Sequence, residues 1–375
     1  MLAWPEILRW LREEDPARLA VLWRRADEVR REHVGDEVHL RGLVEFSSHC
    51  VRQCAYCGLR AANRALARYR MTEAEILGCA AQAVALGYGT LVLQSGEDDG
   101  CDVAWLAGIV RRVKDETPLA VTLSVGERDE AELAEWRAAG ADRYLLRFET
   151  SNPALFRRIH PPRPGHAADG ALWRVALLKR LRALGYEIGS GCMIGVPGQT
   201  YADLAADLEL CRALDLDMIG VGPFLPHPAT PLGAAPAAPA APDQAPATEL
   251  MTYKMIALAR LLCPRANIPA TTALATINRA QGRELGLARG ANVVMPNLTP
   301  VQYRRSYEIY PAKACVDETA QQCHGCLSGR IRGLGRRVGA GRGDSAARQH
   351  RDGCRGARAG AAIGGSERGG VEVKT

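Results

Sequence analysis

No stretch of this sequence is apolar for long enough to span a bilayer, so a helical membrane protein is excluded. No secretory leader is expected either. Residues 1–12 carry Glu6 ahead of Arg9 and Arg12, and their apolar positions are interrupted. A cytoplasmic location is therefore expected. The body of the chain also lacks excess charge. Residues 329–375 hold eleven Lys/Arg against four Asp/Glu, so a formal charge of +6 leaves about −1 for the preceding 328 residues. That gives no electrostatic case for nucleic acid. What the chain does have is cysteine, twelve in all. Without an export signal, closely spaced cysteines argue for metal binding in a reducing compartment rather than a disulfide framework. Cys79 and Cys211 fall in helical apolar patterns and read as small buried hydrophobes.

Hydrophobic residues make up 47% of the 375, enough for one large single-core domain with additions. After a helical N-terminal stretch (5–34), short β-rich runs alternate with longer amphipathic segments. The predicted strands are 43–46, 90–94, 120–124, 143–148, 187–194, 218–222, 268–273 and 292–295. Helical periodicity fills 71–86, 103–114, 128–139, 171–184, 201–214 and 249–262, and more weakly 278–287. Eight strands with helices between them predict an α/β fold of the (β/α)8 TIM-barrel type, with an N-terminal helical extension. The barrel domain is expected over 1–328, and a disordered Gly/Arg-rich tail over 329–375. The Pro/Ala run 231–247 reads as a surface loop.

Just after the first strand comes Cys50-x3-Cys54-x2-Cys57. Three thiolates can hold three irons of a [4Fe–4S] cube and leave the fourth iron open. Zinc is the competing reading, but it usually takes a fourth protein ligand, and His49 sits too close in sequence to serve automatically. Other strand ends supply polar groups: Gln94-Ser95-Gly96-Glu97-Asp98, then Ser124, then Arg143, Arg147 and Glu149. The glycine-rich run 189–200, containing Met193, lacks the dinucleotide fingerprint spacing.

The cysteine spacing, with Tyr56 before the last cysteine, resembles the signature of the radical S-adenosylmethionine superfamily. The resemblance implies that the cofactor's amino and carboxylate groups chelate the open iron, and that one-electron reduction yields a 5′-deoxyadenosyl radical. It also implies roles. Gly96 permits close backbone approach, although Ser95 stands where the usual motif has a first glycine. Glu97 accepts from the cofactor ammonium, Arg147 grips its carboxylate, and Glu149 holds a ribose hydroxyl. Gln94 and Ser124 belong to the same cofactor wall, and Met193 or Ile194 packs on adenine. For Ser124 and the arginines, a purely structural role competes about equally.

Longer strings narrow the match: 34–42, 50–60, 69–72, 93–98, 140–147, 196–200, 222–228, 267–272 and 291–297. Together they resemble the HydE family of [FeFe]-hydrogenase maturases over roughly residues 1–330. Biotin synthase and methylornithine synthase match fewer of them, and remain the alternatives together with a non-enzymatic iron–sulfur carrier. The resemblance implies a substrate, a cysteinate-bound Fe(CO)2(CN) complex made by a tyrosine-using radical maturase. It also implies a scaffold GTPase as recipient and an electron donor such as flavodoxin or ferredoxin. Tyr307 is expected on the substrate side, with Tyr303, Arg304, Tyr310, His227, Thr271 and Thr272 as further candidates. Phe148 stands where the family often carries His. Cys315-x7-Cys323-x2-Cys326 resembles an accessory cluster of some maturases, with zinc as an alternative.

Overall fold

The computed structural model describes residues 2–163, 171–235 and 242–352. Its helices begin where local chemistry can satisfy their free N–H groups. Thr72, Asp129, Thr200 and Thr319 each form a reciprocal capping box with the residue three positions on. Asp15 caps the long N-terminal helix Pro16–Val34, which has proline at its first position. That helix packs on Glu249–Leu262, whose Lys254 donates to the Leu11 carbonyl at 2.9 Å. No helix among the described residues is long and apolar enough to cross a membrane.

The strands are β1 Glu37–Ser47, β2 Thr90–Ser95, β3 Ala120–Ser124, β4 Arg143–Leu145, β5 Glu187–Ser190, β6 Met193–Ile194, β7 Met218–Ile219, β8 Gly222–Pro223, β9 Val293–Val294 and β10 Arg337–Val338. Every pairing between them is parallel. Helices cover the outside, so the strands are buried on both faces, as parallel sheets require.

The expected closed eight-stranded barrel is not what forms. The main sheet is an open, curled one with the path β10-β1-β2-β3-β4-β5-β7, and β9 joins only at β1. Between β7 and β9 there is no ladder, only the isolated bridges Met218↔Asn267 and Pro269↔Val293. Two features prevent the predicted strand 268–273. Pro269 has no N–H to donate to a ladder. Thr271 instead caps the helix Thr272–Ile277, its hydroxyl accepting from Leu274 N. The predicted strands 187–194 and 218–222 also break, leaving β6 and β8 as a separate two-stranded sheet. At that break Gly191 has φ +149, and a Cβ there would lie 1.9 Å from the Gly220 carbonyl oxygen.

Over 329–352 the tail expectation is corrected too. Within 329–352 the chain completes the helix Ala320–Gly333, adds β10 beside β1, and then turns under the amino ends of the strands. There Arg41 donates to Gly343 O at 3.0 Å, Thr90 to Arg342 O at 2.8 Å, and Arg143 to Asp344 at 2.5 Å. Glu187 accepts from both Arg143, at 2.6 Å, and the Ser345 amide. Composition alone suggested too few apolar groups for order. This segment is held instead by polar bonds to buried strand-end charges. Residues 353–375, including Cys354, and 236–241 of the Pro/Ala run lie outside the described residues.

Candidate active site

At the carboxyl ends of the strands lies a cavity of about 340 Å³. β1 delivers the cysteine loop to its rim, and backbone bonds from four directions fix that loop. Val51 N donates to Glu97 O, Ala55 N to Ile159 O, Gly58 N to Ile309 O, and Ser48 N to Tyr69 O. The Arg68 guanidinium braces it further, donating to the carbonyls of Ser48, Leu59 and Arg60. Two glycines make this packing possible. A Cβ on Gly58 would sit 2.1 Å from Glu308 O, and one on Gly96 2.2 Å from His49 O. Gly96 therefore serves close approach of the cysteine loop itself and is not part of the cavity wall.

Cys50, Cys54, Tyr56 and Cys57 all line the cavity. Burial, reinforced by the neighbouring thiols, pushes Cys57 up to about 12 and Cys54 well above its usual range, and Cys50 is raised as well. Without a metal these thiols hold their protons, whereas a coordinated thiol is deprotonated outright. Among the described residues no three His, Cys, Asp or Glu side chains are drawn around one point. What the loop offers an iron–sulfur cluster is three soft ligands on one wall of one cavity.

Gln94, Glu97, Ser124, Arg147, Glu149 and Met193 line the same cavity. Glu149 has a positive φ of 62, uncommon for a non-glycine residue. Its backbone is pinned there by Glu149 N to Gly191 O and Met193 N to Glu149 O. Glu149 Oε2 and Arg147 Nη2 are 3.2 Å apart, yet Glu149 Oε2 and Arg147 Nε are buried without a hydrogen-bond partner. Buried polar atoms are normally satisfied. A ligand bearing a carboxylate and hydroxyl groups would satisfy both, and S-adenosylmethionine is such a molecule.

A family model, described as the Radical SAM superfamily, matches residues 44–211. The [FeFe] hydrogenase maturase subunit HydE of Thermotoga maritima is 47% identical over 318 residues, covering 85% of this chain and 86% of that protein. This chain belongs to the radical SAM superfamily. It is accordingly an enzyme that cleaves S-adenosylmethionine to a 5′-deoxyadenosyl radical. The 3-methylornithine synthase of Methanosarcina barkeri is 32% identical over 281 residues, 74% of this chain and 75% of that one. A crystal structure of methylornithine synthase aligns with TM-score 0.76 at 26% identity, covering 90% of this chain and 94% of that one.

Within this radical SAM cavity, the sequence overlooked a chain of buried charges. Glu97 accepts from Arg52 at 2.5 Å and from the Glu127 amide at 3.0 Å. Arg52 also pairs with Glu127 at 2.9 Å, and Arg174 with Glu127 at 2.7 Å. Arg174 further donates to Arg147 O and lies 2.5 Å from His160 Nε2. Burial pushes the Glu97 carboxyl up against the opposing pull of Arg52. Burial first, and the cation of Arg174 second, keeps His160 neutral far below its usual range. Arg52 was legible, since it stands inside the cysteine motif. Arg174 carries no local signal on its helix Ala171–Ala183.

The remaining candidates divide. Tyr307 is buried in the cavity wall, where its hydroxyl accepts from Gln94 Nε2 at 3.2 Å. Beneath it runs the buried ion pair Lys313–Glu45, with Lys313 Nζ 5.3 Å from the ring centre. Thr271, Thr272 and Tyr310 also line the cavity. His227 does not. It pairs with Glu308 at 3.3 Å, and its Nδ1 accepts from Ala229 N. Tyr303 stacks on Tyr69 and bonds Glu75, and Arg304 is consumed by backbone carbonyls. Arg143 lies at the far end of the sheet, against the C-terminal segment. Phe148 is fully buried in the core.

The second cysteine group sits apart from this cavity. Cys315 and Cys326 line a smaller one of about 140 Å³, while Cys323 is buried behind them on the helix Ala320–Gly333. Cys315 is held below the usual thiol range, first by a hydrogen bond with Cys323 and then, against burial, by Arg283. Cys326 Sγ accepts from Arg330 Nε at 3.3 Å.

Proposed function

We propose that this radical SAM enzyme acts in assembly of the [FeFe]-hydrogenase active-site cluster, on a cysteinate-bound Fe(CO)2(CN) precursor. The observation that carries this reading is the 47% identity with the Thermotoga maritima maturase subunit over most of both chains, against 32% with the methylornithine synthase. In this reading Cys50, Cys54 and Cys57 hold an open-site [4Fe–4S] cluster. When bound, the cluster and S-adenosylmethionine supply the one-electron cleavage of the sulfonium bond.

The chain's own groups bind and orient. Glu97, fixed by Arg52, accepts from the cofactor's ammonium. Arg147 and Glu149 complete their unfilled hydrogen bonds on the carboxylate and a ribose hydroxyl. Tyr56 and Gln94 flank the cofactor with Ser124, and Met193 packs on the adenine. Tyr307, set in place by Gln94 and the Lys313–Glu45 pair, faces the substrate with its hydroxyl. Cys315, Cys323 and Cys326 carry an accessory iron–sulfur cluster outside the cavity. A tyrosine-using radical maturase supplies the precursor, and a scaffold GTPase takes the product.

The test incubates the reduced, cluster-loaded enzyme with cofactor and the synthetic cysteinate-bound iron complex, following 5′-deoxyadenosine and the fate of the complex. Turnover of the complex with stoichiometric cofactor consumption is expected. Cofactor cleavage that ignores the iron complex would move the enzyme to the methylornithine-synthase-like reading, the relative at 32% identity.

A further inference from the structure

The reductive chemistry of this superfamily draws one electron per cleavage from outside the chain, and the surface around the cysteine loop has a composition suited to its delivery. From Phe46 to Thr72 there are five arginines and no aspartate or glutamate. The structure accounts for three of them. Arg52 is buried among Glu97 and Glu127, Arg68 braces the loop through backbone carbonyls, and Arg70 holds Asp98 at 2.7 Å. Arg60 and Arg64 form no ion pair among the described residues, and Arg64 is exposed.

Both stand on a turn folded back over the cysteine loop, since Ala61 N donates to Arg52 O and Asn63 Nδ2 to Gly58 O. The helix Pro153–Ile159 meets the same loop through the bond from Ala55 N to Ile159 O, and brings two more exposed arginines. Arg157 has no ion pair among the described residues, and Arg158 donates only to the Pro197 carbonyl. Among the described residues, three acids at this rim have basic partners: Asp98 with Arg70, Asp99 with Arg163 and Glu308 with His227. The same turn carries small exposed side chains, Ala61, Ala62, Ala65 and Ala67. Cys50 and Cys57, which this loop presents to the cavity, are half-buried.

We propose that Arg60, Arg64, Arg157 and Arg158 form a docking collar for a small acidic iron–sulfur electron-carrier protein. The inference rests on the radical SAM reading of the cysteine loop. A body charge near −1 makes a local surplus of four cations a directed feature rather than a general one. An iron–sulfur carrier suits a site that takes electrons singly. Its reduced cluster is oxidised by one electron, the enzyme's cluster is reduced by one, no bond or proton changes hands, and the oxidised carrier departs. Opposite potentials align the carrier over the cysteines and raise its encounter rate.

The experiment compares the full-length, cluster-loaded enzyme with its Arg64→Glu/Arg157→Glu variant, using a reduced acidic ferredoxin as donor. 5′-Deoxyadenosine formation is measured against ferredoxin concentration at about 20 mM and about 500 mM salt, which sets long and short screening lengths. A parallel arm replaces ferredoxin with reduced methyl viologen, and calorimetry follows binding of oxidised ferredoxin directly. At low salt the variant is expected to need about 10-fold more ferredoxin for half-maximal rate, a gap that closes at high salt. Its viologen-driven rate should match the wild type. An unchanged ferredoxin dependence and affinity would overturn the proposal. So would an equal loss with viologen, which would place the arginines in support of the loop rather than of a partner. A wild type that makes no 5′-deoxyadenosine with either donor would refute the radical SAM reading instead, and the binding isotherms would still decide the collar.

Discussion

Replacing Glu187 by Ala should loosen the C-terminal segment from beneath the sheet. Glu187 and Arg143 are 2.6 Å apart with side chains only 3% and 4% exposed, and the other Glu187 oxygen accepts from Ser345 N at 3.1 Å. The substitution leaves Arg143 buried with only the more exposed Asp344 as a carboxylate partner, and strands a buried amide. Removing one partner of a buried pair typically costs about 3–5 kcal/mol. For a chain of this size, at about 1.3 °C per kcal/mol, that corresponds to a fall in Tm of roughly 4–7 °C. Arg41 makes the effect cooperative, because burial and the nearby Arg143 depress its pKa to about 9, and it relies on Gly343 O from the same segment. The assay is thermal unfolding combined with limited proteolysis mapped by mass spectrometry. New cleavage should appear within 336–352 below the main transition, while cofactor affinity at the opposite end of the strands stays near wild type. An unchanged Tm together with an intact, protected segment would refute the view that strand-end charges hold it in place.

Cys50→Ala, Cys54→Ala and Cys57→Ala should each bring 5′-deoxyadenosine formation to background, read after anaerobic reconstitution, because no other thiol among the described residues lines that cavity. Glu97→Gln and Arg147→Lys should weaken cofactor binding by about 10-fold or more with iron content preserved, as expected for loss of a charge-assisted hydrogen bond. Equilibrium titration with S-adenosylmethionine checks this. A Cys315/Cys323/Cys326 triple serine variant should lose about four irons, if its cluster is a cubane, and keep cofactor cleavage. The Asp207 carboxyl is fully buried and pushed up to about 7, mainly by desolvation. An acid whose folded pKa lies above its unfolded one binds more protons when folded, so stability should fall as pH rises from about 4 to about 7. Asp207→Asn should flatten that part of a Tm-against-pH curve.

Local chemistry was written plainly in the sequence. The cysteine spacing, the Gln94–Glu97 run and the closeness of Arg147 and Glu149 all depend on neighbours within a few residues, and these side chains line one cavity. The seam at β7 and β9 was half legible. Pro269 was visible as a residue without a donor, but only packing showed that Thr271 starts a helix instead of ending a strand. The C-terminal plug and the Arg52–Glu127–Arg174–His160 network were hidden for a common reason. Their partners are separated by long stretches of chain, 201 positions for Arg143 and Asp344 and 47 for Arg174 and Glu127. A Gly/Arg-rich segment has no apolar periodicity to announce order, so its place was decided by buried charges that the curled sheet brings to one end. The sequence by itself determined which cysteines and which polar strand-end residues the cavity would receive. Tertiary structure alone decided how the sheet curls, what closes its other end, and which charges steady the cofactor wall, because those outcomes depend on contacts between residues that no local pattern links.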